Sequence, residues 1–258
     1  MITLTSDFGL KDPYVAEMKG VILTINQKAT IIDITHDIEK FNVQMAAFTL
    51  ASAASYFPEG TVHLAVVDPE VGTKRRAIII QTKKAYFIGP DNGILMLAAQ
   101  SQGIKYVYQL TNTKFMLPTL SNTFHGRDVF APAAAHLDSG VQTCEFGPEI
   151  LDPLEPEFAQ ITRKGSSVIG EVVHVDGFGN IITNIGPQEF SSDSKIFKVE
   201  FEDDSLKLAF AKTYAQANSH EPVLVVGSHG FMEIALNLSN AAERFHAKAG
   251  DKVTITAS

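Results

Sequence analysis

Four short stretches hold reactive side chains at spacings that could serve a site. In VVDPEVGTKRRAI (66–78), Asp68 precedes Arg75 and Arg76 by seven and eight positions, across a turn at the end of an apolar run. A carboxylate and a guanidinium that fold back on each other make either a surface ion pair, which contributes only about 0–1 kcal/mol, or the oriented base of a reaction site. FHGRD (124–128) offers His125 on a glycine-containing loop ahead of an apolar run, a place for a structural imidazole or a proton-transfer group. SDFGLKDPY (6–14) holds Asp7 and Asp12, which can be a turn residue and a helix N-cap or two ligand acceptors. DGFGN (176–180) has the composition of a hairpin turn and carries Asp176, Phe178 and Asn180.

These side chains need a frame, and the hydrophobic pattern supplies one. ITLTSD (2–7), TIIDITH (30–36), TVHLAVVD (61–68), AIIIQT (77–82) and AYFIGP (85–90) are short runs of strand composition, the last leading into the turn signal PDNG. Between the first three lie helix-period stretches. In DPYVAEMKGVILTI, Val15, Met18 and Ile22 fall on one face behind Pro13, and Asn42 is placed to cap the Ala-rich 42–57. Helices interleaved with buried-looking strands predict an N-terminal α/β domain with a largely parallel sheet over 1–156. In such sheets ligands bind beyond the carboxyl ends of the strands, where Asp7, Asp33 and Asp68 lie. LDPLEPEF (151–158) reads as an interdomain linker, because its prolines cannot continue a helix. SVIGEVVHVD, NIITNI, KIFKVEF, SLKLAF, PVLVVGS, FMEIALN and DKVTIT then predict a smaller, mostly antiparallel β domain over 157–258.

Composition narrows the partner. The 258 residues are 45% hydrophobic and 19% charged, with a net charge of −8, which argues against the broad basic footprint that nucleic acid requires. No segment approaches the roughly 20 apolar residues of a membrane helix, and the chain enters a strand pattern directly, so a cytoplasmic protein acting on a small molecule is expected. The single Cys144 excludes an intrachain disulfide and a zinc site of several thiolates.

Taken in order, SDFGLKDPYVAEMKG, FPEGTVHLAVVDPEVGTKRRAI, GPDNG, FHGRDVFAPAAAHL, VDGFGNIITNI and GSHGFMEIALN resemble the S-adenosyl-L-methionine (SAM) hydroxide adenosyltransferases, relatives of the fluorinases and chlorinases. The resemblance runs from residue 2 to about 255. It implies displacement at C5′ of SAM by water or hydroxide, giving adenosine and L-methionine with no cofactor and no metal. It further implies that Asp68, Arg75 and His125 are catalytic: the carboxylate and imidazole orient water and take its proton, while Arg75 fixes the direction of Asp68. Arg76 is read as structural.

By the same resemblance Asp7 accepts both ribose hydroxyls, Asp12 and Asp176 lie near the methionine ammonium, and Ser228 donates to its carboxylate. Asn180 meets the adenine edge, and Phe41 and Phe178 supply apolar faces. The two groups are implied to meet across subunits of a homotrimer. Fluorinases have Tyr at the Asp68 position and Tyr-Ser in place of His125-Gly126, and they carry an extra loop; these differences point to water over halide. Glu70 and His229 depart from the family pattern. A SAM-dependent halogenase, a SAM or adenosine binding module without turnover, and a metal-dependent phosphoesterase using Asp7, Asp68, His125 and Asp128 are the competing readings.

Overall fold

The structure is a computed structural model that describes residues 1–191, 194–201 and 204–257; Ser258, the last residue of the expected second domain, lies outside them. Contacts divide the chain into Met1–Pro156 and Glu157–Ser258.

The first unit is built on six strands, β1 (Ile2–Ser6), β2 (Ile31–Thr35), β3 (Val62–Val66), β4 (Ala77–Thr82), β5 (Tyr86–Pro90) and β6 (Ile104–Gln109), in the order β2-β1-β3-β5-β4-β6. β2, β1, β3 and β5 run parallel, whereas β4 pairs antiparallel with both β5 and β6. The sheet is therefore mixed, and mostly parallel. β4 reverses direction because β4 and β5 are joined by a tight turn at 83–85, too short for a crossover helix.

Helices α1 (Tyr14–Ile25) and α4 (Ala131–Asp138) cover one face of the sheet with Met18, Ile22, Ala133, Ala134 and Leu137. On the other face, α2 (Val43–Ala54) and α3 (Met96–Ser101) pack through Ala46, Leu50, Met96 and Ala99. Each large apolar side chain so buried contributes roughly 1.5–3 kcal/mol. α2 starts at Asn42, whose side chain accepts the Met45 N–H at 2.9 Å. α1 follows Pro13 with no side-chain cap, so Asp12 is not spent on the helix. α3 and β6 carry no signal that the sequence pattern resolves.

The second unit holds β7 (Thr162–Lys164), β8 (Ser167–Val175), β9 (Ile181–Thr183), β10 (Ile196–Glu200), β11 (Ser205–Phe210), β12 (Pro222–Val226), β13 (Met232–Leu236), α5 (Ala241–Phe245) and β14 (Lys252–Ala257). The strand order β14-β10-β11-β12-β13-β9-β8-β7, with a further β14–β8 pairing, closes seven strands into a ring around Val168, Val199, Leu224, Ile234 and Ile255. Among the described pairings of this unit, β11–β12 alone is parallel.

One polar residue sits deep in the first unit's sheet. His63 on β3 is fully buried, stacked on Phe87 at 5.0 Å, with Nδ1 2.7 Å from Thr3 Oγ1 and Nε2 without a hydrogen-bond partner. Burial pushes its pKa from 6.5 to about 4, so the folded chain keeps it neutral. The unfolded imidazole binds a proton at higher pH. Stability is therefore undiminished above pH 6.5 and is lost as pH falls towards 4, by roughly 3 kcal/mol from this residue. Urea unfolding at pH 7.0 and 4.5 should show a steeper acid loss for the wild type than for His63→Phe; equal slopes would refute the assignment.

Candidate active site

In register, Ser6 of β1 lies beside Val66 of β3, so Asp7 and Asp68 emerge close together beyond the carboxyl ends of adjacent parallel strands. Asn92 of the PDNG turn donates to the Val67 carbonyl at 2.8 Å, bracing the chain just before Asp68. In the same turn Asp91 accepts Arg76 Nε at 2.7 Å, and Arg76 also reaches Asp152. Arg76 is thus a tether, and Arg75 is left to face the other way.

Arg75 grips Asp68 with two nitrogens. Nε lies 3.0 Å from both carboxylate oxygens and NH2 lies 2.5 Å from Oδ2, with each side chain only 5% exposed. The same NH2 is 2.8 Å from His125 Nδ1, and the guanidinium lies 5.2 Å from the centre of the Phe130 ring. A guanidinium can only donate, so Nδ1 of His125 is an acceptor, and the ring's own proton resides on Nε2. Burial, and then the Arg75 charge, lower the His125 pKa below 6.5 against the smaller pull of Asp68 and Asp128, which keeps the ring neutral near pH 7.

Two local features let these three side chains meet. Gly72 turns the 68–76 loop at φ +79°, and a Cβ there would collide with the Asn122 carbonyl oxygen. His125 opens a single π-type turn, Gly126–Phe130, ahead of α4. Such turns widen a helix locally and recur at functional sites. Fully buried Asp128 accepts the Ser121 N–H at 2.6 Å and Arg127 Nε at 2.7 Å, fixing the loop that carries His125.

A cavity of about 570 Å³, a size that takes a small molecule, opens beside this cluster; Asp7, Asp12, Phe41, Asp68 and His125 are all in its lining. Asp7 is buried and accepts the Phe41 N–H on Oδ2 at 2.9 Å, while Lys40 Nζ donates to its carbonyl. Phe41 holds φ +66° and is 68% exposed.

Sequence reasoning misses one wall. Phe8, Tyr14 and Phe124 pack edge-on or tilted at centroid distances of 5.1–5.8 Å. They come from three segments, and no periodicity joins them.

The second unit carries the other four expected residues. Asp176, Phe178 and Asn180 sit together on the β8–β9 hairpin, where Asp176 Oδ1 accepts the Phe178 and Asn180 N–H groups at 2.9 Å and Oδ2 accepts Asn180 Nδ2 at 2.8 Å. Both carboxylate oxygens are therefore already partnered within the turn. Ser228 lies apart from them in sequence, on the β12–β13 turn, which the Gly227 N–H closes onto the Phe231 carbonyl at 2.9 Å. Phe178 is 82% exposed, and Glu70 and His229 are exposed as well. Among the described residues, no group of three or more His, Cys, Asp or Glu could hold a metal ion, and no helix is long and apolar enough to cross a membrane.

An α/β unit with a clamped carboxylate beside a cavity, followed by a β unit, is the arrangement of an enzyme family whose domain models fit the chain. The model described as the SAM hydroxide adenosyltransferase N-terminal domain matches residues 2–147, and the C-terminal domain model matches 170–254. The chain belongs to the SAM hydroxide adenosyltransferase family and is an enzyme.

Similar proteins include the (R)-S-adenosyl-L-methionine hydrolase of Methanocaldococcus jannaschii, 37% identical over 99% of this chain and 95% of the relative. The hydrolase of the same name from Thermus thermophilus is 35% identical over 97% of each chain. A fluorinase from an Actinoplanes species is more distant, at 28% identity over 99% of this chain and 97% of the relative. A crystal structure of an uncharacterized conserved protein from Thermotoga maritima superposes with a TM-score of 0.88 at 40% identity, over 99% of this chain and all of the other.

Gly72→Ala tests the loop contact. The strained φ and the clash with a backbone oxygen should reduce stability by roughly 1–3 kcal/mol. By moving Arg75 away from His125, the substitution should also lower kcat at least about tenfold. Thermal unfolding and steady-state rates measure the two, and unchanged kcat would show that the loop approach does not matter to the site.

Proposed function

We propose that the chain hydrolyses SAM to adenosine and L-methionine by in-line attack of water at C5′. The observation that carries this reading is a buried carboxylate, Asp68, oriented by Arg75 and lining a cavity that also holds Asp7, in a chain whose relatives at 34–37% identity are named as SAM hydrolases. Those names specify an (R) form. Since the L prefix fixes the amino acid and the ribose is fixed, the remaining centre is the sulfonium, and we assign the (R)-sulfonium diastereomer as substrate.

In the step itself a C5′–O bond forms as the C5′–S bond breaks. The electron pair passes to sulfur, which leaves as a neutral thioether, and the water proton passes to Asp68. The sulfonium is its own leaving group, so the reaction draws on no cofactor or metal.

His125 serves differently from the expectation that it shares the base role. With Nδ1 taken by Arg75, its Nε2–H is a donor that can hold the attacking oxygen, which leaves Asp68 as the proton acceptor. Asp7 receives the ribose hydroxyls on its two oxygens, with Oδ2 also accepting the Phe41 N–H; Asp12 and Asp176 attract the ammonium, Ser228 takes the carboxylate, and Asn180 and Phe178 take the adenine. A homotrimer that brings the β unit of one subunit to the α/β unit of the next accounts for large apolar side chains such as Phe41 and Phe178 being left in water on the single chain.

A single-turnover reaction in ¹⁸O-labelled water should yield equimolar methionine and adenosine labelled at O5′, and added chloride or fluoride should give no 5′-halo-5′-deoxyadenosine. Unlabelled first-turnover adenosine would mean that Asp68 itself attacks carbon. Asp68→Asn should lower kcat by about 10²–10⁴ while substrate affinity stays within several-fold; a wild-type kcat would remove Asp68 from the chemistry. The pH dependence of kcat/KM supplies a separate check. Because the His125 pKa is lowered, and protonation would cost it the Arg75 bond, the acid loss should begin below pH 6.5, and a midpoint above that value would contradict the neutral ring.

A further inference from the structure

His36 takes no part in the chemistry described, yet it is buried against the strand end that carries Asp7. β1 and β2 pair in parallel from Ile2↔Ile31 to Leu4↔Asp33, and the register then slips so that Thr5 faces Thr35. The extra residue, Ile34, advances β2 by one position and delivers His36, the next residue but one after Ile34, to the level of Ser6.

There His36 Nδ1 lies 2.7 Å from Ser6 Oγ, with Ser6 1% and His36 4% exposed. On the ring's other side, Nε2 lies 3.1 Å from Asp33 Oδ1. Asp33 Oδ2 in turn accepts Lys19 Nζ from α1 at 2.6 Å. Burial raises the Asp33 pKa, but the Lys19 and His36 contacts outweigh it and hold the carboxyl below its ordinary value.

Several anchors around Asp7 come from the 6–9 and 36–41 segments. The Gly9 N–H donates to the His36 carbonyl at 2.7 Å, the Phe8 N–H to Ser6 Oγ at 3.3 Å, and the Phe41 N–H to Asp7 Oδ2 at 2.9 Å. Residues 36–41 thus wrap the 6–9 segment, and the His36–Ser6 bond joins two buried side chains across them.

We infer that His36, held by Asp33 and Lys19, is a positioning residue that aims the Asp7 carboxylate at the ribose diol through Ser6. The inference rests on the reading of Asp7 as the diol acceptor. A carboxylate can bind two vicinal hydroxyls only if its plane is fixed, because each oxygen must meet one hydroxyl at hydrogen-bond distance. The Ser6 anchor supplies that constraint from one side and Phe41 from the other.

The test is a comparison of two ligands that differ in the diol alone, adenosine and 2′,3′-dideoxyadenosine, by calorimetry on the full-length protein. The wild type should prefer adenosine by about 10- to 100-fold, as hydrogen bonds to a charged group require. In His36→Leu that preference should shrink to within about threefold, mainly through weaker adenosine binding, and His36→Asn, whose amide can still bond Ser6, should recover most of it. Ser6→Ala removes the same bond with little change in volume and should repeat the loss if His36→Leu does not fold. Equal weakening of both ligands, or a fully retained preference, would overturn the positioning role. No preference in the wild type would instead remove the diol reading of Asp7, and the role of His36 with it.

Discussion

The site depends on one buried ion pair. Asp68 and Arg75 are almost wholly removed from water, and a charge in that position without its partner would cost several kcal/mol. Folding therefore cannot place one without the other. Asp68 is fixed by the sheet, since it lies just past the end of β3, so the chain has to bring Arg75 back to it within seven residues. The left-handed turn at Gly72 and the contact of that turn with Asn122 follow from this requirement. The same NH2 that meets Asp68 also donates to His125, which sets the imidazole's tautomer. A pair that would be a weak surface contact in water becomes, once buried, the element that determines which proton sits where.

Much of this architecture is legible in the order of residues alone. The parallel strands, α1 and α2 and the β-rich second half follow from period and punctuation, because a buried strand and an amphipathic helix each impose a local pattern. Asp68, Arg75 and His125 stand out through spacing and, above all, through the order of motifs. What escapes is non-local. α3 is six residues long and shows no turn-by-turn stripe, and the antiparallel direction of β4 depends on a turn rather than on strand composition. The aromatic wall of Phe8, Tyr14 and Phe124 exists only once three segments converge. Asp33 is visible as a strand-end acid, but its partner His36 is not, because a single residue of slip between β1 and β2 decides whether that ring faces Ser6.

The two units handle polar groups differently. In the first, Asp7 and Asp12 keep acceptor capacity: Asp7 spends one oxygen on Phe41, and α1 makes no use of Asp12. In the second, Asp176 commits both oxygens to its own hairpin and to Asn180. A carboxylate so engaged attracts a cation through its field and its remaining lone pairs while it keeps the turn rigid. The hairpin's shape is set by its own bonds, so a contact made through it would cost little conformational entropy.

The ring of strands in the second unit has a consequence for how such a chain can associate. Each strand in the ring has a neighbour on both sides, and although β11 meets β12 only at Ala209 and Phe210, most of the ring's main chain is already paired and offers little for another molecule to extend. Contacts made by the ring then come mainly from side chains and turn tips. They can be altered one residue at a time while the hydrogen-bonded framework beneath them stays as it is, which makes the unit a stable mount on which recognition can drift.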